Sequence, residues 1–396
     1  MLSILPYHQK TTQYFKGQPA LWQYFASKTH KTEQLREFKT DLLKSSYKFS
    51  PDTDVDLYNK IEFAKDKLNL QVPVTLYQTQ NAEDVNASIV YIDNEAHIVF
   101  SGKIIQLLSD DELLAIVSHE LSHVLLYTQL ESQVEVADRI VTAIANNQGC
   151  TPAHYETARL FRLYTEIFCD RGAYVVTGSY APIVSSLVKI STGLQTVNAD
   201  SYIKQAEEIF AADNNTRTSG ISHPENFIRA RAIWLWHSRG HEAEPVIQQM
   251  IEGNTSLDEI DLFKQENIAT ITQDVLRLLL YPKWMQTPLM ISLAKQYFGE
   301  ITVNETPDKV NLSSMIGQLH SSMQDYLSYV LYDFSTADKE LEDLPLGHTF
   351  YLADELKLNE SFANAVKKEK KLTDKKASLL KKKALSEYFK FDPQIV

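Results

Sequence analysis

Apolar residues recur at helical intervals over most of the chain and alternate with polar ones in one short stretch. Residues 1–50 read as a polar helical segment carrying the aromatics Tyr14, Phe15, Trp22, Tyr24 and Phe25. Val55, Tyr58, Ile61, Phe63, Ala64 and Leu68 repeat at largely helical spacing and predict an amphipathic helix over 54–69, ended by Pro73. Val74 to Tyr77 then reads as a strand. Ser88 to Asp93 and His97 to Phe100, flanking Asn94-Glu95, read as a hairpin, closed by Gly102.

At Ser109-Asp110-Asp111-Glu112 a capping box opens a helix: Ser109 caps, and Glu112 three positions on reaches back. The apolar pattern carries this helix to about Leu130. Further helices are predicted over 131–147 and 153–178, parted by Gly149 and Pro152, and over 182–212. Asp213 to Pro224, rich in Asn, Thr, Ser and Gly, reads as a flexible loop before a helix at 225–238. Gly240 to Ser256 marks a domain boundary, and the rest is helical pattern broken at Pro282, Pro288, Gly299, Pro307 and Pro345. The expectation is a predominantly helical α+β protein. It comprises an N-terminal helical segment (1–50), a domain with a small antiparallel sheet (51–245) and a helical C-terminal accessory domain (246–396).

The chain has 396 residues and 44% hydrophobic content, enough for a sizeable core in two domains. Its net charge of -12 argues against nucleic acid as a partner. Against this acidic background, Lys367 to Lys383 holds nine lysines and two acids, Glu369 and Asp374. A solvated helix face is the plain reading, and docking to an acidic partner or membrane surface the alternative. Two cysteines, Cys150 and Cys169, suggest a reducing compartment, with one bridge left open. The N-terminus is a poor signal peptide, and the most apolar stretch, Ala173 to Val188, is interrupted by Gly178, Ser179, Tyr180 and Pro182. A cytoplasmic protein without a membrane span is expected, with a periplasmic or secreted form trimmed of its leader as the alternative.

Chemistry concentrates at His119-Glu120-Leu121-Ser122-His123. One helical turn puts the imidazoles at i and i+4 on one face, where both reach a single metal ion. Glu120 stands beside that site without being a ligand, as a general base does. Leu113, Leu114, Ile116, Val117, Leu121, Val124, Leu125 and Leu126 bury the helix on most sides, so its polar groups need partners. One zinc ion per chain, with an open position for water, suits this donor set. In a later helix Glu166 and Asp170 stand four apart on one face. Glu166 is the candidate third ligand and Asp170 the candidate acceptor for a ligand histidine's second nitrogen; a solvated acidic pair is the alternative. His223, before Pro224, is a candidate oxyanion donor, and Arg229 can hold that loop or bind a carboxylate; a plain helix-start histidine and a surface arginine are the alternatives.

These residues resemble the gluzincin metallopeptidases of the HtpX and CAAX-prenyl-protease type over roughly residues 55–235. Asn86-Ala87, Asp111-Glu112-Leu113 leading into the HExxH segment, Glu166 to Asp170, and His223-Pro224 with Arg229 match that family's segments in order. The resemblance implies a zincin-like core and zinc-dependent endopeptidase activity. It implies His119, His123 and Glu166 as ligands, Glu120 as base, and an extended substrate along the edge strand before the active-site helix, here His97, Ile98, Val99 and Phe100. The family usually has Gly where Ser122 stands and a small residue where Cys169 stands; neither residue is expected to touch a ligand. Residues 322–372 resemble TerB-like helical domains through Asp333-Phe334, Asp338, Leu341-Glu342 and Pro345-Leu346; their acids read as a solvated loop, with a divalent-cation site as the alternative. Expected partners are a peptide or unfolded protein substrate and a protein partner for the C-terminal helices. A zinc-binding chaperone-like protein with little turnover, and a latent peptidase whose C-terminal part covers the cleft, are the competing readings.

Overall fold

A computed structural model describes residues 2–27, 39–80, 84–302 and 307–391. The chain divides into two compact units, Met1–Gly253 and Asn254–Val396. It is predominantly helical with one small sheet, an α+β fold.

The first unit opens with α1 (Pro6–Lys16) and α2 (Pro19–Ala26), followed by β1 (Ser46–Lys48), α3 (Val55–Leu68), β2 (Val74–Thr79), β3 (Asn86–Ile92), β4 (Glu95–Ser101) and the single turn α4 (Ile104–Leu107). Two long helices, α5 (Asp110–Ala145) and α6 (Pro152–Thr177), form its centre. Around them pack α7 (Ala181–Thr192), α8 (Ala199–Ala212), α9 (Asn226–Arg239) and α10 (Glu244–Glu252).

α5 starts where its capping box requires. Glu112 N–H donates to Ser109 Oγ at 3.4 Å, and Ser109 N–H donates to Glu112 Oε2 at 2.8 Å. The same carboxylate oxygen takes the buried Lys189 ammonium of α7 at 2.8 Å, so one residue caps α5 and ties it to α7. Regular helix stops at Thr128: Gln129 is extended, and Leu130, Glu131 and Ser132 are all left-handed, a conformation costly for L residues. α1 is embedded rather than peripheral. His8, Thr11 and Phe15 are buried, and His8 Nε2 lies 3.3 Å from Phe161 O and 3.1 Å from Thr165 Oγ1 of α6.

The sheet has the order β1-β2-β4-β3 and is mixed. β3 and β4 form the expected hairpin, paired from Ile92↔Glu95 to Asn86↔Ser101. Its turn is Asp93-Asn94, with φ of 52° and 64°, as a two-residue hairpin with the right-handed sheet twist demands. β2 runs parallel to β4, from Val74↔Ala96 to Gln78↔Phe100.

The second unit contains α11 (Leu262–Leu279), α12 (Pro288–Phe298), α13 (Lys309–Gln318), α14 (Ser321–Ala337), α15 (Leu344–Glu355), α16 (Asn359–Glu369) and α17 (Asp374–Phe391). Leu276, Leu279, Leu327, Leu331, Phe334, Phe350 and Phe362 fill its core. Buried His348 bridges three helices, with Nε2 3.1 Å from Leu279 O and Nδ1 3.0 Å from Tyr388 Oη. The acids singled out in this region serve local contacts: Asp333 accepts from Tyr297 Oη at 3.0 Å, and Asp338 from the Glu340 amide at 3.1 Å.

Candidate metal centre and active site

The helical stretch of α5 before its break turns His119, Glu120, His123 and Tyr127 towards a cavity of about 530 Å³. α6 faces it with Glu166 and Asp170, α9 with Arg229, and the loop before α9 with His223. What lets α6 come so close is a small-residue contact. A Cβ built on Gly172 would lie 1.9 Å from Ser122 Oγ, so no larger residue fits at 172 without moving the helices apart. Ser122 itself turns its hydroxyl back to Ser118 O at 2.7 Å.

Glu166 Oε2 stands 3.4 Å from His119 Nε2, and Glu166 Oε1 stands 3.8 Å from His123 Nε2. Donors held about 2.0–2.1 Å from a tetrahedral ion stand about 3.3–3.4 Å apart, so the first separation matches and the second exceeds it by a few tenths of an ångström. Glu166 Oε2 is buried, with His119 Nε2 at 3.4 Å as its imidazole neighbour. A buried anionic carboxylate facing two imidazoles suits a cation site. The residues present fit a zinc-sized divalent ion.

Asp170 and Arg229 hold this arrangement from behind. Asp170 Oδ1 lies 3.0 Å from His119 Nδ1, the geometry that puts the proton on Nδ1 and points Nε2 at the cavity. Arg229 forks onto the same carboxylate, Nη2 to Oδ1 at 2.6 Å and Nε to Oδ2 at 2.9 Å, and brings Nη1 to 3.2 Å from Glu166 Oε2. The planar guanidinium thus fixes both acids at once.

The electrostatics follow from burial and these neighbours. Burial pushes the Glu166 carboxyl up, but Arg229 and the two imidazoles outweigh it and hold it well below the carboxylate range. Burial lowers His123 to about 4, leaving it neutral. At His119 burial also works downward, yet the bonds to Asp170 and Glu166 prevail and lift it to about 10. Burial raises Glu120 to about 7, opposed by His119, helped by Glu166 and opposed again by Arg229.

Cys169 is nearer than its sequence position suggested. His119, His123 and Cys169 each bring a possible ligand atom within 4.8 Å of the others. Its thiol is pushed well above the ordinary value by burial and then by Glu166, Glu120 and Asp170. Both cysteines are free.

His97 to Phe100 do not form the edge. They lie on β4, hydrogen-bonded on both sides by β2 and β3, with His97, Ile98 and Phe100 buried. An extended peptide cannot add to a strand that already has two neighbours. The strand beside the cavity is β3, whose Asn86, Ala87, Ser88 and Ile89 line it opposite Ile183, Ser186, Leu187 and Ile190 of α7. Asn86-Ala87 was the sequence signal available for it. Tyr127, one turn beyond His123, stacks on Tyr91 of β3 with centroids 6.4 Å apart and fastens this strand to α5.

His223 is largely exposed, with Nε2 3.5 Å from Glu166 Oε1. The loop that carries it is pinned, not slack. Glu225 accepts from Thr218 Oγ1 at 2.7 Å and from the Ser219 amide at 3.0 Å, and Arg159 donates to Gly220 O at 2.8 Å. Gly220 is needed there, since a Cβ would sit 1.9 Å from His223 O.

A buried HExxH helix faced by a carboxylate from the next helix, above a cleft with a free strand edge, defines the architecture of an HExxH metallopeptidase domain. Residues 51–233 match Peptidase family M48, a metallopeptidase family. The chain is 25% identical over 264 residues to the plastoglobule-localized metallopeptidase 48, chloroplastic, of Arabidopsis thaliana, covering 62% of this chain and 74% of that protein. No solved structure matches it with significance. Among the described residues no helix is long and apolar enough to cross a membrane.

Proposed function

We propose that this chain is a zinc-dependent endopeptidase in which His119, His123 and Glu166 hold one zinc ion and Glu120 is the general base. The observation that carries this reading is the approach of the Glu166 carboxylate to 3.4 Å and 3.8 Å from the Nε2 atoms of His119 and His123. When bound, zinc would supply the Lewis acidity that polarises a scissile carbonyl and acidifies water. Glu120, beside the two imidazoles and facing the cavity, takes a proton from the attacking water and hands it to the leaving amine. His223, exposed over the cleft, donates a hydrogen bond to the oxygen that gains charge. Asp170 keeps His119 in the tautomer that leaves Nε2 free, and Arg229 positions both Asp170 and Glu166. An extended segment of a peptide or unfolded protein pairs with Asn86–Ile89 of β3, while α7 supplies an apolar wall.

The test pairs elemental analysis with turnover. Purified protein should carry about one zinc per chain and cleave a denatured protein substrate until a chelator is added. Glu120→Gln should keep the zinc and lose about 10²–10⁴-fold in kcat. Normal cleavage by that variant, or no stoichiometric metal in the parent, would overturn the proposal.

A further inference from the structure

The lysine-rich region ends on a helix that presents its charge in one direction. On α17, Lys375 and Lys382 recur at seven residues, as do Lys376, Lys383 and Lys390, and all five are exposed. At about 100° per residue they occupy an arc of roughly 120° with Leu379 at its middle. Leu379 is 69% exposed.

The opposite face of α17 is firmly anchored. Ala384 and Tyr388 are buried against α15, so close that a Cβ on Gly347 would lie 2.3 Å from Ala384 O. The lysine face is therefore held outward by the packing behind it.

Little within the protein offsets this charge. Lys383 pairs with Asp343 at 3.0 Å and with Glu387 at 3.7 Å, but among the described residues Lys375, Lys376, Lys382 and Lys390 make no ion pair. Lys375 and Lys376 stand in the first turn, where the helix dipole is already positive. A face that costs repulsion and exposes a leucine, in a chain of net charge -12, is built for an external anionic surface.

We propose that this face docks the protein on an anionic lipid surface, with Leu379 entering the headgroup region. The residue types favour lipid over an acidic peptide or nucleic acid. The positive charges of this face are all lysines, and no arginine follows Arg277 in the chain. Bidentate recognition of carboxylates and phosphodiesters favours arginine, whereas long lysines ringing an apolar side chain suit a diffuse field of headgroups. The face is also a convex helix surface, not a groove that would shape a peptide.

The experiment is flotation of the full chain with phosphatidylcholine vesicles, with and without phosphatidylglycerol. Binding should require the anionic lipid and fall as salt is raised. Replacing Lys375, Lys376, Lys382 and Lys390 together with Gln should weaken partitioning about fivefold per lysine, several hundred-fold in all, while Arg at the same positions should retain it. Leu379→Ser should remove the part that survives high salt. These positions are exposed, so circular dichroism should be unchanged in each variant. Equal binding to both vesicles, undiminished binding by the Gln variant, or capture by polyglutamate without capture by vesicles would each overturn the proposal.

Discussion

Ser122 of α5 occupies the space that any side chain on Gly172 of α6 would need: a Cβ there would meet Ser122 Oγ at 1.9 Å and Ser122 Cβ at 2.6 Å. This contact sets the spacing of the two helices that carry His119, His123 and Glu166. Gly172→Ala should therefore push α6 outward and reduce bound metal several-fold. Adding Ser122→Gly, which deletes both clashing atoms, should restore it. Metal content of the single and double variants checks this; a double variant no better than Gly172→Ala would refute the spacing argument.

Two donor sets compete on paper, His119-His123-Glu166 and His119-His123-Cys169. The approach of the Glu166 carboxylate to both Nε2 atoms, at 3.4 Å and 3.8 Å, favours the first. Cys169→Ala should leave metal content and turnover unchanged, and Glu166→Gln should lose both. Loss of metal from Cys169→Ala would assign the thiol as ligand.

Asp170 lies 3.0 Å from His119 Nδ1, and Arg229 forks onto its carboxylate. Asp170→Asn should weaken zinc binding by about 10–100-fold, as loss of such orienting partners does. Competition with a chromophoric chelator measures this directly, and an unchanged affinity would remove Asp170 from the positioning role.

His8 makes the N-terminal helix pH-sensitive. Burial lowers it from 6.5 to about 3, although its bond to the Phe161 carbonyl works upward. Nδ1 has no partner among the described residues, so a second proton would have nothing to bond. In the unfolded chain the imidazole protonates near 6.5. Between these values the unfolded state binds more protons, so stability falls as pH drops through the window and is insensitive to this group above it. The slope reaches about 1.4 kcal/mol per pH unit. Thermal unfolding of the parent and His8→Leu from about pH 4 to pH 7 should show a lower melting point for the variant at neutral pH and a shallower acid loss; parallel curves would refute it.

The elements with local causes were legible from residue order. The capping box at Ser109, the i,i+4 imidazoles and the β3–β4 hairpin each depend on contacts within a few positions, where spacing alone dictates geometry. The break at Gln129–Ser132 coincides with the end of the apolar pattern near Leu130.

Three features waited on the tertiary structure. Which strand is the free edge depends on β2 pairing parallel to β4 across intervening chain, and alternation along one strand does not name its neighbours, so His97 to Phe100 were assigned to an edge that β3 occupies. The nearness of Cys169 and Glu166 to the imidazoles depends on α6 seating against Ser122 through Gly172, a contact fifty positions apart. The outward set of the α17 lysines depends on Gly347 and His348 locking the far side of that helix. Residue order determined the local chemistry; packing between distant segments, which no local periodicity encodes, decided which groups meet and which face outward.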